Sequence, residues 1–104
     1  MTSLIIAPRA RSDISGIIDG LAHDASPSVA LRYSSEFDNA FVRLVSFPRL
    51  GAPRPRFGAA VRIWTIEPYV VYYRYTEAID IVRILRILHG RRKFTRKLLS
   101  GSGP

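Results

Sequence analysis

The chain has 104 residues, sixteen Lys and Arg against eight Asp and Glu for a net charge of +8, and no cysteine. That length makes one domain with a modest core and excludes a large multi-domain enzyme, while 47% apolar residues exclude wholesale disorder. The missing cysteines exclude disulfides, thiolate zinc sites and cysteine nucleophiles.

Leu4, Ile5, Ile6 and Ala7 form an apolar run too short for a buried helix, and they read as a strand. Pro8 closes it and suits the first turn of a helix, where its missing N–H costs nothing. Ile14, Ile17, Ile18 and Leu21 then recur at i, i+3, i+4, i+7, which predicts a helix over residues 8–23. Ser26-Pro27 is a second start signal. Tyr33, Phe37, Ala40, Phe41 and Leu44 carry a longer helix over 27–45, and the short link makes the two an antiparallel hairpin. Segment 46–58 holds three prolines and two glycines, so it is expected to be a loop without regular structure, carrying Arg49, Arg54 and Arg56.

The remainder is β-like. Residues 60–66 and 69–75 are rich in β-branched and aromatic side chains, with Glu67-Pro68 between them and Thr76-Glu77-Ala78 as the next connection. The run 79–89 fits both periods, but four isoleucines and a valine favour a strand. Neither its odd face (Ile79, Ile81, Arg83, Leu85, Ile87) nor its even face (Asp80, Val82, Ile84, Arg86, Leu88) alternates cleanly, which predicts a central strand covered on both sides. After Gly90 a basic stretch over 91–99 fits one or two helical turns with Phe94, Leu98 and Leu99 on one side, and 100–104 is read as a flexible end. The order β-α-α-β-β-β is a single α+β domain over 1–93, its helical hairpin packed on one sheet face, with a basic C-terminal tail over 94–104.

Charge is unevenly placed. Residues 1–45 carry four basic and five acidic side chains, whereas 46–104 carry twelve and three. Such asymmetry suggests a polyanionic or acidic-protein partner met by the second half. Fourteen of the sixteen basic residues are arginine, whose planar fork holds phosphate or carboxylate at any working pH. Arg83 and Arg86 lie inside the most apolar strand and need a partner or an exit to solvent. Arg54, Arg56, Arg86, His89, Arg91, Arg92 and Lys93 are the residues read as binding such a partner.

Enzymatic signals are sparse. A metal needs three or four converging ligands, and His23 and His89 would have to be joined by carboxylates that lie mostly on the helices, so no metal and no cofactor is expected. There is no G-x-S-x-G elbow and no phosphate-binding glycine loop. Histidine is the side chain that trades protons most readily near neutral pH. His89 therefore either closes a strand or, beside Gly90-Arg91-Arg92, moves a proton or contacts a phosphate. Tyr69, Tyr72, Tyr73 and Tyr75 read as two-sided packing of a central strand, with a base-stacking surface as the functional alternative.

Several strings taken in order resemble the RelE/ParE superfamily, the toxins of type II toxin–antitoxin systems. They are Ile5-Ile6-Ala7-Pro8-Arg9-Ala10, Phe47-Pro48-Arg49-Leu50-Gly51, Pro53-Arg54-Pro55, Arg62, Val71-Tyr72-Tyr73-Arg74, Ile81-Val82-Arg83-Ile84-Leu85 and Leu88-His89-Gly90-Arg91-Arg92. The resemblance covers about residues 4–93 and implies two helices against a curved, mainly antiparallel sheet. The RelE-like branch cuts mRNA in the ribosome; the ParE-like branch poisons DNA gyrase without a nuclease step. The Phe-Pro-x-Leu-Gly string and the His-Gly-Arg-Arg ending look more like the ParE-like branch.

Arg54 and Arg56 stand where the ribosomal nucleases carry a lysine pair, and Val70 where some relatives place an arginine. Arg62, Arg83 and His89 fall at spacings similar to the later catalytic positions. Arginine can stabilise a phosphorane but stays protonated, so only His89 could serve as base. The resemblance thus implies a non-enzymatic, gyrase-poisoning toxin of a plasmid-stabilisation system. It would form a hetero-oligomer with an acidic antitoxin. The alternatives are a ribosome-dependent mRNA endoribonuclease using Arg62, Arg83 and His89, and a small basic nucleic-acid-binding module. No apolar stretch approaches the roughly 20 residues that span a bilayer and no signal-peptide layout is present, so a cytoplasmic protein with no membrane partner is expected.

Overall fold

The computed structural model describes residues 1–92. Strand β1 (Ser3–Ile6) passes through Ala7 into helix α1 (Pro8–Asp24), with Pro8 in the first helical turn. Helix α2 (Pro27–Ser46) starts at Ser26, whose Oγ accepts the Val29 N–H at 3.1 Å and so satisfies one of the free donors of the first turn. Both helices end within one residue of the spans expected from their apolar spacing. Ile14, Ile17 and Ile18 of α1 and Tyr33 of α2 lie half-buried against the core, which α2 enters with Phe37, Phe41 and Leu44.

The sheet has the order β1-β5-β4-β3-β2, with β2 (Ala52–Pro53), β3 (Val61–Ile66), β4 (Tyr69–Thr76) and β5 (Ile81–His89). Only β1 and β5 run parallel; the other neighbours are antiparallel. The chain is therefore the α+β domain its element order implied, and β5 is a central strand.

Two local expectations change. Segment 46–58 is not devoid of regular structure: Ala52 and Pro53 pair with Ile63 and Arg62, and Pro55–Phe57 makes a 3₁₀ turn. A proline is tolerated there because β2 is an edge strand, where one side of the backbone needs no donor. The third β run starts two residues later than expected. Ile79 belongs to a 3₁₀ turn (Glu77–Ile79), and Asp80 takes a left-handed conformation at φ 54°, which aspartate tolerates better than most residues.

The uneven faces of β5 have a physical cause. Tyr73 pairs with Ile84 and Tyr72 pairs with Arg86, so Leu85 is an extra residue in the ladder, a β-bulge. Val82 and Ile84 before it, and Ile87 after it, all reach the helix side of the sheet, where they join Val71, Tyr73, Phe37, Phe41 and Leu44. Leu85 falls on the opposite side with Val61, Tyr72, Ile63, Val70 and Phe57. Among the described residues no α-helix covers that second side.

Candidate functional site

The arginine-bearing loop between α2 and β3 is fastened from beneath. The buried Tyr73 hydroxyl accepts the Gly51 N–H and donates to the Pro48 carbonyl, each at 2.8 Å. Arg62 donates to the carbonyls of Arg49 (3.0 Å) and Gly51 (2.7 Å). A Cβ on Gly51 would lie 2.5 Å from the Ile63 carbonyl oxygen and 2.7 Å from the Tyr73 hydroxyl, so only glycine fits this crossing. The Arg54 N–H then donates to the Val61 carbonyl at 2.9 Å, fixing the start of the 3₁₀ turn over the sheet.

That turn lays Arg54, Arg56 and Phe57 along the side of the sheet opposite the helices. The Phe57 ring meets Tyr72 edge-on at 5.7 Å, and the Arg56 guanidinium sits 4.8 Å from the Phe57 ring centre. Tyr72 is only 3% exposed. Burial pushes its phenol up to about 12, while the charges of Arg56 and Arg54 pull the other way. Two residues along β4, Arg74 donates from Nε to the Ala59 carbonyl at 2.9 Å. Its partner in the ladder is Arg83, so two guanidinium-bearing residues stand directly opposite each other. Arg83 is exposed.

A second basic group lies at the far end of β5. His89 is exposed; its ring meets Tyr69 edge-on at 6.0 Å, and its Nδ1 accepts the Arg91 N–H at 3.1 Å. His89 stands between a groove of about 610 Å³ with Thr65, Glu67 and Arg91 and one of about 340 Å³ with Ser12, Tyr69 and Arg92. From Arg83 to His89 along β5 is roughly 20 Å at about 3.3 Å per residue.

The residues singled out from sequence are thus sorted into different places. Arg54, Arg56 and Arg83 share the open face. Arg62, on the helix side of β3, uses its guanidinium to hold the loop carbonyls. His89, Arg91 and Arg92 gather at the strand end. The three nuclease candidates Arg62, Arg83 and His89 do not converge. Arg86, read from the sequence as a target contact that needed a partner or an exit to solvent, is a core residue. It is 7% exposed, its Nε and Nη2 donate to the two Asp13 carboxylate oxygens at 2.8 and 2.9 Å, and Asp13 Oδ2 also accepts the Ile87 N–H at 2.9 Å. The buried guanidinium found its partner on α1. Lys93, the tail over 94–104 and the helical turns expected over 91–99 lie outside the described residues.

Arg74 was missed by sequence reasoning. The signal was there: an arginine of the same strand parity as Tyr72, in an otherwise aromatic and β-branched strand. The tyrosine cluster is packing on both faces, with Tyr73 serving the loop; the buried Tyr72 offers no ring to solvent. Among the described residues no three of His, Asp and Glu gather where they could hold a metal, and no helix is long and apolar enough to cross a membrane. An apolar groove of about 400 Å³ lies at the β1 edge, lined by Leu4, Ile6, Phe41, Val42 and Val45.

Residues 4–94 match the family model of the ParE toxin of the type II toxin–antitoxin system parDE. The chain belongs to the ParE toxin family. It is 33% identical over 89 residues to toxin ParE3 of Caulobacter vibrioides, covering 82% of this chain and 87% of that one. Its fold is similar to the chromosomal ParDE system from P. aeruginosa, with a TM-score of 0.71 and 27% identity over 86% of this chain and 96% of that one. It is also similar to the RelBE2 toxin–antitoxin complex from Mycobacterium tuberculosis, with a TM-score of 0.60 and 25% identity over 85% and 96%. The resemblance to the RelE/ParE superfamily seen in the sequence is thereby confirmed, and the chain is a ParE-type toxin of a toxin–antitoxin system.

Proposed function

We propose that this ParE-family toxin arrests growth by poisoning DNA gyrase and is neutralised by a cognate acidic antitoxin. The pair would act in plasmid stabilisation, in the cytoplasm. The observation that carries the gyrase reading is the separation of Arg62, Arg83 and His89. A nuclease needs its proton-moving group and its phosphate-stabilising cations around one scissile bond. Here one cation is tied to loop carbonyls and the histidine stands roughly 20 Å from the other. Arg54, Arg56, His89, Arg91, Arg92 and Lys93 are the proposed target contacts; Arg86 leaves the set because Asp13 holds it in the core.

The antitoxin reading draws on the ParDE and RelBE2 relatives, which are toxin–antitoxin systems. The apolar groove at the β1 edge suits the apolar side of a segment that folds on contact, and the cationic second half suits its acidic residues. Incubating the toxin with gyrase, supercoiled plasmid and ATP tests the main reading. Trapped linear DNA after denaturation supports it, and undisturbed supercoiling with no cleavage product refutes it. The likeness to RelBE2 favours a second reading, ribosome-dependent mRNA cleavage. Message cut within codons only in translating extracts would establish that one instead.

A further inference from the structure

The open face of the sheet carries a charge arrangement that the fold alone does not call for. Arg74 and Arg83 stand directly opposite each other on β4 and β5, and like charges so placed destabilise a ladder. Neither has a carboxylate partner among the described residues; the ion pairs there involve Arg49, Arg86, His23 and the N-terminus. Arg54 and Arg56 add two more guanidinium groups from the loop, close enough to act on the Tyr72 phenol. Residues 46–66 and 81–92 contain no Asp or Glu, and the only one between Pro68 and Asp80 is Glu77, which is turned to Arg49. Backbone geometry is spent on the same group. Gly58 at φ 137° and Ala60 at φ 60° shape the short loop whose Ala59 carbonyl orients Arg74. A left-handed alanine is strained, because its Cβ crowds the following carbonyl oxygen.

We infer that this face binds the phosphate backbone of duplex DNA through Arg54, Arg56, Arg74 and Arg83. The inference rests on the gyrase reading and deepens it: the DNA is the segment on which gyrase acts, so the toxin grips nucleic acid as well as protein. The chemistry of the face selects this occupant. Four guanidinium forks with no nearby carboxylate among the described residues complement a run of phosphates. Single strands bind by stacking bases on exposed rings, and a peptide would need an apolar anchor. Here Tyr72 is 3% exposed and Phe57 is capped by Arg56. The face therefore offers charge without a stacking platform, which suits a paired helix read through its backbone.

Fluorescence anisotropy of the full chain on a labelled duplex of about 20 base pairs, as a function of salt, tests this. The expected result is binding whose log–log salt slope falls by about 1 in Arg83→Gln and by about 2 in Arg74→Gln/Arg83→Gln, with affinity at least about tenfold weaker in the double variant. Arg83 is exposed and has no hydrogen-bond or ion-pair partner for its side chain among the described residues, so its single variant keeps the fold and the test stays sound if the Arg74 variant does not. Arg11→Gln, on the solvent side of α1, is the charge control and should leave the slope unchanged. Absence of duplex binding, an equal loss in Arg11→Gln, or tighter binding to single-stranded RNA of the same length would each overturn the inference. The gyrase assay separates the two claims. If Arg83→Gln traps as much cleaved DNA as wild type, the surface is refuted and the gyrase reading stands. If the wild-type chain binds duplex through these arginines but traps nothing, the gyrase reading fails and the surface stands.

Discussion

Tyr73 links the core to the loop through one hydroxyl that both accepts and donates. Tyr73→Phe keeps the packing and leaves the Gly51 N–H and the Pro48 carbonyl without that partner. An unsatisfied buried polar group costs roughly 1–3 kcal/mol, so the urea midpoint should fall accordingly, with the denaturant slope unchanged. An unaltered midpoint would show that the loop is held by Arg62 alone. Asp13 is the other residue on which much depends, because it pairs a buried guanidinium and also accepts a backbone N–H from β5. Removing one member of a buried pair costs about 3–5 kcal/mol because the remaining charge stays in the core. Asp13→Ala should therefore destabilise more than Tyr73→Phe, and Asp13→Ala combined with Arg86→Met should recover much of the loss. Thermal melts of the three variants decide this; a double variant no better than the single would mean the pair does not act as a unit.

At the scale of elements, β4 is a row of phenols whose ionisation opposes folding. Burial raises Tyr72 to about 12, and burial likewise raises Tyr69 and Tyr73 above the ordinary value of 10. The folded state thus holds its phenols neutral where the unfolded chain would ionise them. Their contribution is intact below pH about 10 and is lost as the pH rises towards about 12. Melting temperature should fall steeply in that window, in step with the ultraviolet absorbance of tyrosinate; tyrosinate appearing at its ordinary pH with no change in melting would contradict the packing of β4. Much at this scale was readable from sequence. The two helices announced themselves by apolar spacing and by proline in the first turn, and the strand meander by its β-branched and aromatic content. The bulge at Leu85 was not readable, because it exists only in the register between two strands. Arg86 likewise needed Asp13, a partner on a different element, to be recognised as a core residue. Arg74 and Arg83 became a pair only when β4 was laid against β5.

For the whole molecule, the distribution of cations separates binding from chemistry. His89 stands at one end of the sheet and the Arg74–Arg83 pair lies well down the same strands. A group that moves a proton in catalysis contributes roughly 10²–10⁴-fold. His89→Ala in a gyrase poison loses an edge contact with Tyr69, a backbone bond and one proposed target contact, but no proton transfer. Its potency in growth arrest should change a few-fold, on the order of 1 kcal/mol, with little shift in melting temperature. A collapse of toxicity at unchanged stability, together with loss of mRNA cleavage in translating cells, would transfer the proposal to the ribosome.

The parallel pairing of β1 with β5 also bears on when the toxin comes into being. Ser3 pairs with Ile81 and Ile6 with Ile84, so β1 must wait for β5, more than seventy residues later in the sequence. Until β5 arrives, Val82, Ile84 and Ile87 are missing from the core, and Arg74 has no opposite number. Contacts so distant along the chain also slow folding, because a long loop must close before they form. At roughly 5–20 residues per second the nascent chain spends several seconds in this unfinished state. The arginine face is assembled only once β5 has been made. The fold itself thus sets an interval in which the growing chain has its helices but does not yet have the surface proposed to do harm.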